Sequence, residues 1–239
     1  MGNLAAIFQK QGRWKEAEEL YVQVVETHKR ALGQEHPDAL IAMDSLALIY
    51  WYQGRWREAE ELLVPVVEAH KRVAGQEHPD ALPSMINLAL TYVRQGRWEE
   101  GKELLVQVVE TSKMVLGQEH PSTLVAMDSL ASTYWNQGRL KEAEQLGAHV
   151  MEPRKRLVGR EHPVTLASVH EFASIYMRQG RRKEAQELRI EMVNGLRMTL
   201  GDDHPSRVTS ETRKSDTTGS RMASWQRNAT LKNPPRGKQ

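Results

Sequence analysis

Histidines recur along this chain at positions where they could bind a metal or act as acids and bases. His36, His78, His120 and His162 each precede a proline in "GQEHP" or "GREHP", and His204 occupies the weaker copy "GDDHP". A metal site needs several such ligands within a few ångströms of one ion. These histidines are spaced 42 residues apart, a full repeat of the sequence. We therefore interpret them as structural residues and predict no metal, cofactor or catalytic site.

Other residue types that carry chemistry are missing or dispersed. The chain has no cysteine, which excludes disulfides, thiolate metal sites and cysteine nucleophiles. It has no "GxxxxGK[ST]" motif and no "GxGxxG" motif after a strand, so nucleotide chemistry has no support. The "EAEE" clusters suit solvated helix faces and first turns, where acidic charge complements the helix dipole. The sequence predicts a protein that is not an enzyme.

A second signature divides each 42-residue unit into halves. "QGR" occurs at 11–13, 53–55, 95–97, 137–139 and 179–181, about midway between the "HP" dipeptides. The first half carries a large apolar residue, an alanine and an aromatic at a spacing that places them on one helix face. These residues are Leu46, Ala47, Tyr50; Leu88, Ala89, Tyr92; Leu130, Ala131, Tyr134; Phe172, Ala173 and Tyr176.

The second half of each unit also has an apolar stripe with helical spacing. It consists of Ala59, Leu62, Val66 and Val67 in one unit and Ala143, Leu146, Val150 and Met151 in another. Proline suits the first turn of a helix, which places the histidine before it at or near the N-cap. Glycines 54, 96, 138 and 180 suit the end of the first helix, and glycines 75, 117, 159 and 201 the end of the second. Each unit is predicted to be a helix, a tight turn and a helix.

Three prolines depart from this pattern. Pro83 lies inside a predicted first helix, and Pro65 and Pro153 lie inside predicted second helices. An interior proline removes a hydrogen bond and costs on the order of 3 kcal/mol. We expect kinks at these positions, or a helix that starts only after Pro83. The incomplete units at both ends suggest a piece of a longer array.

One helical hairpin cannot bury both stripes alone, but stacked hairpins share a continuous core. The sequence therefore predicts an all-α solenoid over residues 1–206, made of about five units of which the first is truncated. The pattern "HPxxL…LAxxY…QGRxxEAExL…VV" resembles the long tetratricopeptide repeat of kinesin light chains, which also occurs in fungal nucleotide-binding receptor-like proteins. The shorter tetratricopeptide signature maps onto Leu46, Ala47, Tyr50, Ala59 and Leu63. The resemblance implies a right-handed superhelix that binds partner proteins without catalysis.

The resemblance also implies where a partner binds. In such arrays the first-helix face opposite the packing residues lines a concave groove, and here that face carries positions 41, 44, 45, 48, 51 and 52 of the unit that starts at 33. This unit and the next share 27 of 42 residues, yet five of these six groove positions differ. The unit starting at 117 differs from it at only three of the six. The first comparison favours a copied scaffold with a changed groove.

Candidate peptide-binding residues follow from these groove positions. Asn87 has both a donor and an acceptor for a peptide backbone, and Arg94 and Arg178 have the fork geometry that binds carboxylates. The tryptophans at 51 and 135 could equally pack between helices, whereas those at 14, 56 and 98 are expected to pack. The full set is Ser45, Leu48, Trp51, Tyr52, Asn87, Leu90, Arg94, Ser129, Trp135, Asn136, Glu171 and Arg178.

Residues 207–239 differ in composition from the rest. They contain eight Lys or Arg against two acidic residues and few aliphatic ones, so we expect a basic, disordered tail. Such a tail could bind nucleic acid or an acidic surface by counterion release. An extension without a function is the simpler interpretation, and a protein or peptide is the expected partner. The oligomeric state is left open.

The sequence also bears on the compartment. It shows no secretory signal and no apolar run of the roughly 20 residues that span a membrane. Together with the lack of cysteine, this favours a cytoplasmic protein that has no membrane partner.

Overall fold

The structure is a computed structural model that describes residues 2–74 and 78–200. These residues form ten α-helices and no strand, as the sequence predicts. The helices are α1 (Gly2–Lys10), α2 (Trp14–Leu32), α3 (Pro37–Tyr52), α4 (Trp56–Ala74), α5 (Ala81–Arg94), α6 (Trp98–Leu116), α7 (Pro121–Asn136), α8 (Leu140–Leu157), α9 (Pro163–Arg178) and α10 (Arg182–Leu200).

The helices alternate as first and second members of five repeats, from α1–α2 (repeat 1) to α9–α10 (repeat 5). The turn between them has the predicted glycine in a left-handed conformation, for example Gly54 at φ 80° and Gly96 at φ 83°. The next residue, Arg55, donates its N–H to the Tyr50 carbonyl at 2.9 Å, which closes the end of the first helix. A residue with a Cβ is strained at such a φ, and this explains the invariant glycine of "QGR".

The repeated histidines bond to the backbone at or near the starts of the helices that follow them. His36 Nδ1 accepts the N–H of Asp38 at 3.2 Å, and His162 Nδ1 accepts the N–H of Val164 at 3.3 Å. His120 makes the same bond to the N–H of Ser122, and His78 accepts the N–H of Asp80, the residue before α5. At His36, His120 and His162 the bond satisfies an N–H that lacks a partner within the helix, and the prediction that the four histidines lie at or near the helix starts is confirmed.

The expected start of α5 needs correction. Helix α5 begins at Ala81, two residues later than its counterparts but before Pro83 rather than after it. Pro83 therefore occupies the first turn, where a missing N–H removes no helical bond. Helices α4 and α8 continue through Pro65 and Pro153. Gly75, Gly201, His204 and the predicted tail 207–239 lie outside the described residues.

The chain divides into two compact units. Unit 1 extends to Thr133 and unit 2 begins at Tyr134. In unit 1 each helix from α1 to α5 packs on the next one, and α3 also contacts α5. Its core contains the predicted inward residues, such as Leu46, Ala59 and Leu88, together with Met43 and Ile49 of α3. Among the described residues, no helix is long and apolar enough to cross a membrane.

Unit 2 uses a different core residue on the same backbone. Helix α9 packs on α8 and α10, and Phe172 stands where unit 1 has Leu46 and Leu88. The larger ring is accommodated by Gly147 of α8, because a Cβ there would lie 2.7 Å from the Phe172 ring. Unit 1 has Leu63 and Leu105 at the positions equivalent to Gly147. The two substitutions thus compensate each other within unit 2.

Candidate functional site

The first helices of repeats 2 and 3 present all candidate residues of unit 1 except Ser129. Most of these side chains are half-buried, and Ile41 is the most exposed, at 62%. Because α3 and α5 are in contact, their outward faces form one surface. We call this the unit 1 surface; it consists of Ile41, Ser45, Leu48, Trp51 and Tyr52 on α3, and Asn87, Leu90 and Arg94 on α5.

A tryptophan–arginine pair lies at the C-terminal ends of these two helices. The Arg94 guanidinium lies over the Trp51 ring, 5.0 Å from its centroid. Cation–π attraction holds it there, and desolvation lowers the pKa of Arg94 because burial disfavours its charge. Among the described residues no carboxylate pairs with Arg94. The pair therefore leaves a half-buried cation with unused N–H donors beside Leu48 and Leu90.

Asp44 lies at the contact between α3 and α5. The Ser84 hydroxyl donates a hydrogen bond to Asp44 Oδ2. Asp44 Oδ1 is buried and accepts no bond of standard geometry, although the Asn87 side chain is close enough to act on the carboxyl as a donor. We regard Asn87 as a near neighbour rather than a full partner. Burial raises the pKa of Asp44 to about 6, and the Ser84 and Asn87 donors lower it only in part.

Two other members of the unit 1 surface have packing partners. The Tyr52 ring stacks on Trp14 of α2 at 4.9 Å, and its edge contacts Trp51 at 5.3 Å. The Ser45 hydroxyl donates to the Ile41 carbonyl at 2.9 Å within its own helix. Trp14 is partly buried against the unit 1 core, as predicted. The groups of this surface most open to a ligand are therefore Ile41, Leu48, Leu90, Asn87 and Arg94.

Unit 2 contains a second pair with the same geometry. The Arg178 guanidinium lies 4.8 Å from the Trp135 ring centroid, and its Nη1 also donates to the Trp135 carbonyl at 2.8 Å. Asn136 is exposed at the end of α7, and Glu171 is half-buried on α9. We call these four residues the unit 2 surface. Unlike Arg94, Arg178 is exposed and has a protein acceptor.

Ser129 is the candidate with the least accessible side chain. It is 4% exposed, and its hydroxyl donates to the Val125 carbonyl at 2.9 Å. Ser45, the equivalent residue two repeats earlier, is more open although it makes the same type of bond. Small hydroxyl side chains often bond to the carbonyl four residues earlier in a helix. The helical spacing gives no indication of this difference in burial.

The clamp that links successive repeats was not predicted from the sequence. Within unit 1, Arg55 Nη1 donates to Glu18 at 2.6 Å and Gln53 Nε2 donates to the same carboxylate at 2.7 Å. Burial would raise the pKa of Glu18, but the Gln53 and Arg55 donors outweigh it and lower the value. The same clamp joins Glu60 to Gln95 and Arg97, and in unit 2 it joins Glu144 to Gln179 and Arg181.

Each clamp arginine also covers the tyrosine of its own repeat. The Arg55 guanidinium lies 4.1 Å from the Tyr50 ring centroid, and Arg97 lies 4.0 Å from that of Tyr92. The glutamates of "EAEE" therefore include a partner of the next "QGR" as well as solvated charges. The signal was present in the sequence, since glutamates 18, 60 and 144 keep the repeat spacing. The clamp fixes the first helices that carry the candidate surfaces.

No arrangement of His, Asp and Glu in residues 2–74 and 78–200 is suited to hold a metal ion. The four histidines that precede proline each accept a backbone N–H at Nδ1. What the described surfaces offer is hydrogen-bond donors, a half-buried cation and apolar side chains. Groups of these kinds are common at protein–protein interfaces.

The structure and sequence are similar to those of other repeat proteins. A kinesin light chain-like protein of Podosopora anserina with nearly identical TPR-like repeats is 37% identical, with a TM-score of 0.68 over 84% of this chain and 95% of that one. BtubC (BKLC) of P. vanneervenii is 19% identical, with a TM-score of 0.70 over 90% of this chain and 83% of that one.

The same fold occurs in a protein solved with a peptide. Bacillus thuringiensis PlcR, in complex with the peptide PapR7 and DNA, is 12% identical, with a TM-score of 0.69 over 89% of this chain and 73% of that one. At this identity the likeness shows the fold alone. No curated protein sequence is significantly similar to this chain.

Family models give the same result. One tetratricopeptide repeat model matches residues 1–71 and 80–156, a second matches 165–206 and a third matches 45–101. The matches cover most of the chain and agree with the ten helices of the structure. The chain belongs to the tetratricopeptide repeat family, and its repeats are of the kinesin light chain-like kind.

Proposed function

We propose that this protein is a non-catalytic cytoplasmic scaffold that holds an extended peptide or a helix of a partner protein on the outward faces of its first helices. The observation that carries the proposal is Arg94 in unit 1. It is a half-buried cation that rests on Trp51 and has no carboxylate partner among the described residues. A partner that supplies an acceptor would satisfy donors that the protein itself leaves open.

The surroundings of Arg94 suit a peptide rather than a small ion. Leu48 and Leu90 supply half-buried apolar area on the same two helices, and Ile41 adds an exposed apolar side chain. Asn87 can donate to a peptide carbonyl and accept from a peptide N–H. Interfaces typically combine apolar anchors with a few such polar contacts. The peptide complex of PlcR supports the proposal, because its fold is the same.

The unit 2 surface is proposed as a second contact region. Arg178, Trp135, Asn136 and Glu171 offer polar contacts, but Arg178 already donates to a carbonyl of the protein. A ligand at Arg178 gains less than one at Arg94, because it satisfies fewer unused donors. We therefore place the main binding energy on unit 1. Ser129 is expected to contribute little because it is buried.

A selection from a random peptide library tests this function on the full chain. Peptides that bind are then measured against the double variant Asn87→Ala, Arg94→Ala by calorimetry. We expect affinity to fall by about tenfold or more, since each lost hydrogen bond costs roughly 1 kcal/mol. Circular dichroism should show unchanged helix content, because both side chains lie on the outward face.

The matched control is the double variant Arg57→Ala, Gln107→Ala, which removes an arginine and an amide from exposed positions of the second helices α4 and α6. It should bind the selected peptides as the parent does. A library that yields no binding peptide contradicts the proposal. So does binding that survives Asn87→Ala, Arg94→Ala but is lost in high salt and on deletion of residues 207–239, which would place the activity in the basic tail.

A further inference from the structure

Asp44 is half-buried as a residue, but its carboxyl lies shielded between two repeats without a cation to compensate it. Its carboxyl lies between α3 and α5, where Ser84 donates to Oδ2 and Oδ1 is shielded from solvent. Buried carboxylates are normally paired with a cation or held by several donors, because desolvation of the charge is costly. Here the donors are one hydroxyl and the neighbouring Asn87 amide.

The helices that pack on α3 bring no opposite charge to this carboxyl. From α5 come Ser84 and Asn87, while Arg94 lies further along that helix over Trp51. From α2 comes Tyr21, whose hydroxyl interacts with Ser45. Helix α4 carries His70, and its charged neighbours are Asp80 and His78 rather than Asp44. The carboxylate form of Asp44 is therefore stabilised by neutral donors only.

The protonation state of Asp44 decides what Asn87 can do. As a carboxylate, Asp44 attracts the Asn87 amide donors toward the helix contact, and its negative charge lies next to the unit 1 surface. As a neutral acid, it can keep a hydrogen bond with the Ser84 hydroxyl, which rotates to accept. The Asn87 amide then loses a charged acceptor, and Arg94 becomes the dominant charge of the surface.

We propose that Asp44 makes the unit 1 surface proton-sensitive: uptake of one proton by its carboxyl releases Asn87 toward a ligand and removes a negative charge next to that surface. The range in which this occurs is near neutral, because burial raises the pKa of Asp44 to about 6. Asp44 is a positioning residue in this scheme, since it acts through Asn87. Its effect on ligand binding rests on the proposed function, whereas the proton uptake itself does not.

The proton uptake is tested by NMR on the full chain without any ligand. The side-chain amide signal of Asn87, assigned by its loss in Asn87→Ala, is followed from about pH 4.5 to about pH 8. We expect one transition with a midpoint near the pKa of Asp44, because the amide senses the carboxyl beside it. Asp44→Asn, which imitates the neutral acid, should abolish the transition. Ser84→Ala, which removes a donor to the carboxylate, should move the midpoint upward.

The matched control is Asp128→Asn, the same substitution two repeats later, which leaves Asp44 in place and should keep the transition. A transition that persists in Asp44→Asn, or a midpoint below about 4.5, where an ordinary carboxyl titrates, overturns the proposal. An unchanged midpoint in Ser84→Ala would also contradict it, because the carboxyl would then not depend on that donor.

A second measurement uses the tightest peptide from the library selection. Its affinity for the parent should be at least about threefold higher at pH 5 than at pH 7.5, because the surface loses a negative charge on protonation. For Asp44→Asn the two affinities should agree within about twofold. If no peptide is selected, the proposed function fails while the Asn87 transition still decides on proton uptake. If a peptide binds equally at both pH values, the coupling of Asp44 to the surface is refuted.

Discussion

The tryptophan–arginine pairs of unit 1 and unit 2 have the same geometry but different surroundings. The ring-to-guanidinium distances are 5.0 Å for Trp51 with Arg94 and 4.8 Å for Trp135 with Arg178. Arg94 is half-buried beside apolar residues, whereas Arg178 is exposed and bonded to a carbonyl. The repeat therefore fixes the position of each tryptophan–arginine pair. The residues around the pair decide whether its arginine has N–H donors left for a ligand.

The cores of the two units also differ in side chains at equivalent positions of the same helical repeat. Leucine faces the core at positions 46 and 88 of unit 1, while Phe172 with Gly147 fills the equivalent space in unit 2. Core packing tolerates such a change when total volume is conserved.

The largest effect is expected from emptying the core of one unit. Phe172→Ala should cost about 3–5 kcal/mol and Leu88→Ala about 2–5 kcal/mol, because each leaves a cavity that closes only in part. Since repeats contact only their neighbours, each variant should lose amide protection mainly in its own unit. Hydrogen exchange with mass spectrometry measures this. Equal loss of amide protection in both units for either variant would show that the two cores do not respond separately.

A double-mutant cycle sharpens the same point. Phe172→Leu alone leaves a cavity, and Gly147→Leu alone places atoms into the Phe172 ring. Together they recreate the leucine pair that unit 1 uses, so we expect a favourable coupling of about 1–3 kcal/mol between them. Thermal or urea unfolding of the four proteins gives the coupling. Simple additivity of the two single effects would show that they do not compensate.

Asp44 should make stability fall as pH rises. Its folded-state pKa, about 6, is above its ordinary value of 3.8, so folding binds a proton between these values. The stability that this proton uptake contributes is fully present below pH 3.8, and it is lost as pH rises through the folded-state pKa of Asp44. Asp44→Asn should therefore be more stable than the parent at neutral pH by on the order of 2 kcal/mol.

Urea unfolding at about pH 4 and about pH 7 measures this difference. Glu18 and Glu144, whose pKa values are lowered in the fold, act in the opposite direction in both proteins, so only the difference between parent and variant is informative. Asp128→Asn serves as the control from repeat 4. If the free energy of unfolding has the same pH dependence in the parent and in Asp44→Asn, Asp44 does not take up a proton on folding.

Peptide binding should separate the two arginines. Arg94→Ala is expected to weaken a selected peptide by about 1–2 kcal/mol, because the peptide loses a charge-assisted bond in a partly desolvated setting. Arg178→Ala should weaken it less, since that guanidinium already has an acceptor. Calorimetry on both variants decides between them. A larger loss for Arg178→Ala would move the main contact to unit 2.

The smallest effect is expected at the clamps. Repeat 3 carries Lys102 where repeats 1, 2 and 4 carry a clamp glutamate. Glu60→Lys and Glu144→Lys place a lysine at the same position in repeats 2 and 4. Each should lower the free energy of unfolding by about 1 kcal/mol and the melting temperature by a few degrees. The neighbouring changes Glu61→Lys and Gln145→Lys, at exposed positions, are the controls. Clamp variants as stable as these controls would show that the clamp adds specificity without stability.

The sequence by itself determined the repeat, its helices and its turns. Period, apolar spacing, glycine and proline are local signals, and the structure confirms the helix pairs, the glycine turns and the histidines at or near the helix starts. Helix α5 shows the limit, because its start depends on which of two nearby prolines fits a first turn. The choice of groove positions is a property of helical geometry and stays a prediction until a ligand is bound.

The tertiary structure decided what the surface side chains do. Arg94 on Trp51, Ser84 on Asp44 and Arg55 on Glu18 join residues about one repeat apart, and helical periodicity does not specify which side chains meet across repeats. Burial of Asp44 likewise depends on α5 covering it, and desolvation follows from that contact alone. Local sequence sets the direction of a side chain, and packing between repeats sets its partner and its charge.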